Sequence, residues 1–326
     1  MTLQTLPLFA PIAADLQTVV DKLRSAADIE DQLLDEALAM VVAAGGKLIR
    51  PALAITATNI YGADHAKTIS LAASVEMLHT ATLVHDDMID DAARRRGMPT
   101  LHTLLNPASA VLLGDYLFAQ AAAWAAETDN VRVVNIFAAT LMTIVEGELR
   151  QMWAKRNLQR SEENYYERIH GKTAALFAAA CEAGGVLGGA PEVEVQALRE
   201  YGRLLGLAFQ IVDDVLDFVG DEQKLGKPVG GDLRSGNITL PLIFYLHDDH
   251  HTWDDLAQDL FEGRRLSDEQ VRTLVERVVG SPAIERSLRE ARHLASAARR
   301  ALTPIPASPH CSTLVELTDY VVRRRH

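Results

Sequence analysis

Apolar residues recur at three- and four-residue spacing along nearly the whole chain, with Ala and Leu dominant. Strand-length alternation of polar and apolar positions is scarce, so the pattern predicts an all-α protein. Breaks fall at Gly45-Gly46, Tyr61-Gly62, Gly97-Met98-Pro99, Asn106-Pro107, Thr128-Asp129-Asn130, Gly188-Gly189-Ala190-Pro191, the Gly226 to Gly236 loop and Ser281-Pro282. Roughly ten helices lie between them, several longer than the ~11-residue mean. No Ser/Pro-rich or charged linker divides them, which predicts one large helical domain over residues 1–326. The uniformly apolar helices from about Ile69 to Phe218 are expected to form its centre, and the more charged part from about Asp248 to wrap outside.

Hydrophobic residues make up 48% and charged residues 23%, values of a folded globular chain. Subtracting 44 acidic from 32 basic residues gives −12, a surface that repels phosphate backbones and argues against a nucleic-acid partner. Two cysteines, Cys181 and Cys311, are too few for a disulfide framework and point to a reducing compartment. The N-terminal segment lacks a basic start and a long apolar run, and uncharged stretches such as 133–145 fall short of the ~20 residues a membrane span needs. The expectation is a cytoplasmic protein without a transmembrane span.

One pattern occurs twice. His85-Asp86-Asp87-Met88-Ile89-Asp90-Asp91 ends one apolar run, and Asp213-Asp214-Val215-Leu216-Asp217 ends another. In each DDxxD the outer aspartates stack on one helix face about one turn, ~5.4 Å, apart. Like charges at that spacing repel unless a cation sits between them. Carboxylate oxygens suit Mg²⁺, which is commonly shared between one or two carboxylates and a substrate phosphate. A solvated acidic helix end is the bland alternative, and two clusters on strongly apolar helices disfavour it.

Basic residues supply the complementary charge. Lys47 and Arg50, three apart after Gly45-Gly46, could reach one anion, and Arg94-Arg95-Arg96 closely follows the first cluster. His79 lies seven residues before Asp86, on roughly the same face. Gly171-Lys172-Thr173 interrupts a helix in an apolar region, where a lysine must snorkel or find an anion. Phe209-Gln210 stands one turn before Asp213.

Together, GGKLIRP, HDDMIDDAARRRG, GKT, FQIVDDVLD and LGKPVGGDLRSGNITLP resemble the trans-type polyprenyl diphosphate synthase family over most of the chain, from about Gly45 to Pro241. The resemblance implies an isoprenoid-synthase-like helical bundle around a deep central cavity, acting as a homodimer. It implies that Asp86, Asp90 and Asp213, with Asp87, Asp214 and Asp217 in support, bind an allylic diphosphate through Mg²⁺. Lys47, Arg50, His79 and Arg96 would hold isopentenyl diphosphate, and Arg95, Lys172 and Lys227 would contact the allylic diphosphate. Thr173 and Gln210 would lie near the developing cation, beside Phe209. One departure stands out: Asn237 occupies a position where the family often has lysine. The basic tail Arg323-Arg324-Arg325 resembles one that can close over the site.

The implied reaction is ionisation of the allylic diphosphate, attack by the isopentenyl double bond and loss of a proton, repeated to a long product. Ala81 and Thr82, one turn before Asp86, carry small side chains where short-chain members tend to have an aromatic block, and Leu78, Val75 and Ser74 continue that face without one. The expected product is therefore hexaprenyl to decaprenyl, with membrane contact only peripheral, through that product. Competing readings are a farnesyl or geranylgeranyl diphosphate synthase, a terpene cyclase, and a non-catalytic synthase subunit.

Overall fold

The structure is a computed structural model that describes residues 7–27, 32–43, 47–95, 98–154, 161–220, 229–247 and 254–324. Among the described residues there are sixteen α-helices. In chain order they are α1 (Ala13–Arg24), α2 (Gln32–Ala43), α3 (Ile49–Asn59), α4 (His65–Ile89), α5 (Leu101–Leu104), α6 (Pro107–Ala126), α7 (Val131–Ala154) and α8 (Glu162–Ile169). They continue as α9 (Ala175–Leu187), α10 (Glu192–Val219), α11 (Gly231–Arg234), α12 (Leu240–Leu246), α13 (Asp255–Phe261), α14 (Asp268–Val279), α15 (Ala283–Ala301) and α16 (Pro309–Arg323). The count exceeds the sequence expectation because α5, α11, α12 and α13 have seven residues or fewer. Two turns or less cannot establish a 3.6-residue period. The antiparallel hairpin β1 (Arg94–Arg95) and β2 (Met98–Pro99) was likewise too short to show alternation.

The chain packs as two compact units. The first comprises Met1–Leu141, Leu176–Gly202 and Ala301–Leu317. Its centre is α4, whose residues from Thr68 to Leu78 are all buried, so no exposed face interrupts the apolar run. Asp64 caps its start by accepting from the Lys67 N–H, and Asn106 caps α6 in the same way with Pro107 at the first turn. Helices α4 and α6 pack closely enough that a Cβ on Gly114 would lie 2.1 Å from His85 Nε2, a distance only glycine avoids. Tyr201, fully buried, donates to the Leu314 carbonyl at 2.7 Å and satisfies its hydroxyl.

The second unit comprises Met142–Ala175, Arg203–Arg300 and Thr318–His326. Its charged C-terminal helices are amphipathic: Val271, Leu274, Val275 and Val278 of α14 are buried, and Ser267 with Gln270 forms a capping box at its start. Asp254 caps α13 and also accepts from Tyr245 Oη and Arg277, both at 2.8 Å. The Gly171-Lys172-Thr173 segment corrects one expectation. It does not interrupt the helix but forms a π-helical turn, His170–Ala174, in continuous helix from α8 into α9.

Candidate functional site

In the first unit, α4 presents Asp86 half-buried near its end and Asp90 exposed at its C-cap. Asp87 points elsewhere. It is buried and accepts from Arg95 Nε at 2.7 Å, so Arg95 and Asp87 neutralise each other in this structure. Burial pushes the Asp87 carboxyl up, and the Arg95 cation opposes that shift. His85 is committed to helix packing: Nε2 lies 3.0 Å from the Val111 carbonyl and its ring 5.3 Å from that of Phe118.

Lys47 is exposed and Arg50 half-buried at the start of α3, where Leu48 adopts φ 49°. A left-handed non-glycine residue costs roughly 1 kcal/mol or more, and here it turns the backbone between the two cations. The Arg50 guanidinium lies 5.2 Å from the Phe177 ring centroid. His79 is half-buried two turns before Asp86 on α4. Ala81 is fully buried and Thr82 half-buried, its hydroxyl donating to the His79 carbonyl.

Below Thr82 on the same face, Leu78, Val75, Ser74 and Leu71 form one wall of an apolar cleft. Helix α7 supplies Ile136 and Phe137 to the opposite wall, and α9 supplies Leu176 and Ala179. About 270 Å³ of space not filled by atoms lies between them, counting the part open to solvent. The cleft is a narrow apolar slot beneath an acidic helix end. Sequence reasoning found its α4 wall and missed the others, because nothing local marks which distant helices pack there.

In the second unit the π turn places Gly171 against Gly147 of α7, where a Cβ would meet the partner Cα at 3.3 Å. Wider turns of this kind are often found at functional sites. Thr173 Oγ1 donates to Gln210 Oε1 at 2.6 Å, and Gln210 Nε2 donates to Asp214 Oδ1 at 2.8 Å. Tyr165 Oη donates to Asp214 Oδ2 at 2.6 Å. Both Asp214 oxygens are thus occupied. Burial, and next the nearby Asp232 charge, push its carboxyl up to about 7, against the hydrogen bonds from Tyr165 and Gln210. Asp217 is buried and accepts from the Asp232 N–H at 2.9 Å, anchoring the start of α11. Asp213 is the more accessible member: its Oδ1 lies 2.6 Å from Arg324 Nη1. Lys172, two-fifths exposed, lies 3.7 Å from Glu148.

Arg96, Lys227 and Arg325 lie outside the described residues, as do Gly45 and Gly46. Tyr165, Glu148 and Asp232 escaped sequence reasoning: Tyr165 is 49 residues from Asp214, and no periodic signal links them. Among the described residues no group of three or more His, Cys, Asp or Glu side chains forms a metal cluster. Mg²⁺ does not require one, since it keeps waters and takes substrate phosphate oxygens beside one or two carboxylates. The donor chemistry fits: Asp86 and Asp90 share a helix face, and Asp213 already holds a cation, the Arg324 guanidinium.

Residues 31–278 match the family model described as polyprenyl synthetase. The structure of a polyprenyl synthase from Caulobacter crescentus, complexed with calcium and isoprenyl diphosphate, is 37% identical with a TM-score of 0.92, covering 98% of this chain and 97% of that one. A decaprenyl diphosphate synthase from Rhodobacter capsulatus is 38% identical with a TM-score of 0.89, covering 98% of each chain. Heptaprenyl diphosphate synthase component 2 of Geobacillus stearothermophilus is 35% identical over 317 residues, 97% of this chain and 98% of its own. Two aspartate clusters, an apolar slot and end-to-end similarity converge, and the chain belongs to the polyprenyl synthetase family.

Proposed function

We propose that the chain is a trans-type polyprenyl diphosphate synthase, a prenyltransferase that condenses an allylic diphosphate with isopentenyl diphosphate repeatedly to a medium- or long-chain product. The observation that carries this reading is the single face of α4 on which Asp86 stands above Thr82 and the apolar cleft of Leu78, Val75 and Leu71. Such a face suits a ligand with an anionic head and a hydrocarbon tail. The relatives that are named as decaprenyl and heptaprenyl synthases support the longer products. The family match covers stretches of both units, which supports reading residues 1–326 as one catalytic domain.

In this reading Asp86, Asp90 and Asp213 would hold Mg²⁺, with Asp87, Asp214 and Asp217 orienting neighbouring groups. When bound, Mg²⁺ would neutralise charge developing on the allylic diphosphate as its C–O bond breaks. Lys47, Arg50, His79 and Arg96 hold the isopentenyl diphosphate, and Arg95, Lys172 and Lys227 the allylic one. The Thr173 hydroxyl, fixed through Gln210, and the Gln210 amide present oriented dipoles to the allylic cation. The isopentenyl double bond then attacks the cationic carbon. A proton leaves to the released diphosphate, and the alkene is regenerated.

No helix among the described residues is long and apolar enough to cross a membrane. Cys181 and Cys311 are unpaired, which supports a reducing, cytoplasmic setting. Met142, Val145, Leu149 and Met152 form a stripe along α7, each more than 40% exposed. We assign that stripe to contact with a second copy of the chain, while the relative named component 2 makes a different partner subunit the alternative that sedimentation decides.

The test is to incubate the purified chain with isopentenyl diphosphate, an allylic primer and Mg²⁺, then chromatograph the dephosphorylated products. Products of hexaprenyl to decaprenyl length are expected, and Asp86→Ala or Asp213→Ala loses most turnover while the protein stays folded. Products no longer than geranylgeranyl, or full activity in excess chelator, refute the reading.

A further inference from the structure

Arg324 follows α16 in the second unit and is a cation almost removed from water, with its side chain 2% exposed. Its Nη1 lies 2.6 Å from Asp213 Oδ1, its Nη2 donates to the Phe209 carbonyl, and its guanidinium stacks 3.7 Å from the Phe209 ring centroid. Burying a guanidinium is costly unless charge and hydrogen bonds compensate it. The compensation here is incomplete, because among the described residues the buried Nε finds no hydrogen-bond acceptor. The seat is therefore occupied but not fully satisfied. Asp213 keeps 41% of its side chain exposed, so a solvent cation can reach it.

We propose that Arg324 is a built-in competitor for the metal at Asp213. In the metal-free protein its guanidinium neutralises the carboxylate, and a divalent cation binding there must displace it, because two cations cannot share one carboxylate at this range without repulsion. Linkage is reciprocal: Arg324 weakens metal binding, and metal binding releases the last turn of α16. The proposal rests on reading Asp213 as a metal ligand.

The full chain, stripped of metal by chelation, is titrated with Mn²⁺ in the presence of inorganic diphosphate and followed by electron paramagnetic resonance. Amide exchange over Thr318–Arg323 is measured in parallel. R324M, which keeps an apolar stem over Phe209, is expected to bind Mn²⁺ on the order of tenfold tighter than wild type, with R324K between them. In wild type the exchange of Thr318–Arg323 speeds up when Mn²⁺ binds; in R324M it is fast throughout. D213N weakens Mn²⁺ binding and removes the metal dependence of exchange. R324M within about twofold of wild type, with D213N impaired, overturns the role of Arg324 and leaves Asp213 as a ligand. D213N binding Mn²⁺ as wild type does overturns both. Should R324M melt below the assay temperature, R324K decides: equal affinity and metal-independent exchange would refute the competition.

Discussion

If the cleft below Asp86 receives the growing hydrocarbon, an aromatic ring placed on α4 should set product length by its height along the helix. Counting from Asp86 at 1.5 Å per residue, Ala81 lies ~7.5 Å below, Leu78 ~12 Å and Ser74 ~18 Å. Ala81 and Ser74 are fully buried, and Ser74 and Leu78 line the cleft. Phenylalanine at each position therefore gives a graded series: Ala81→Phe yields the shortest product, Leu78→Phe an intermediate one, and Ser74→Phe the longest of the three, still shorter than wild type. Phe137 faces them from α7, and Phe137→Ala lengthens the product. Overpacking costs about 1–3 kcal/mol, and with an unfolding entropy of about 2.1 cal/mol/K per residue over 326 residues each kcal/mol lowers the melting temperature by about 1.5 °C, so the variants remain folded at assay temperature. Phe137 is only half-buried, so its truncation costs less than the ~3–5 kcal/mol of a fully enclosed ring. Chromatography of dephosphorylated products gives the length distributions, and consumption of isopentenyl diphosphate in the first condensation shows whether the head site survives. A length order that ignores height, or equal distributions for Ala81→Phe and Ser74→Phe, would refute the cleft as the tail site.

Two further outcomes follow from buried hydrogen bonds. Tyr165→Phe removes the hydroxyl that fixes Asp214 and, through it, Gln210; kcat should fall about tenfold, or ~1.4 kcal/mol, with KM nearly unchanged, and a larger effect on KM than on kcat would contradict a positioning role. Asp254→Ala removes a helix cap and strands Tyr245 and Arg277, costing about 3 kcal/mol by denaturant unfolding. Burial alone would raise the Asp254 carboxyl, but hydrogen bonds from Arg277, Tyr245 and the Ala257 N–H hold it below its ordinary value. Its contribution is therefore complete above the unfolded value of about 3.9 and is lost as pH falls through the lower folded value, so the gap between wild type and variant should close only in acid.

The all-α class, the main helix breaks and both aspartate clusters were legible in the chain because each depends on residues close in sequence. Helical periodicity, a capping Asn106 before Pro107, and carboxylates four residues apart are local facts that a helix turns directly into geometry. The same local rule placed Thr82 and Leu78 beneath Asp86. Periodicity could not reveal how individual aspartates would be used: Asp87 is paired to Arg95, Asp214 is enclosed by Tyr165 and Gln210, and Asp213 is capped by Arg324, 111 residues later. Nor could it reveal that α7 and α9 close the cleft, or that Gly147 and Gly171 let a π turn form where an interruption was expected. These are encounters between segments far apart in the chain. Which side chains meet is decided by the packing of whole helices, and only the tertiary structure fixes that packing.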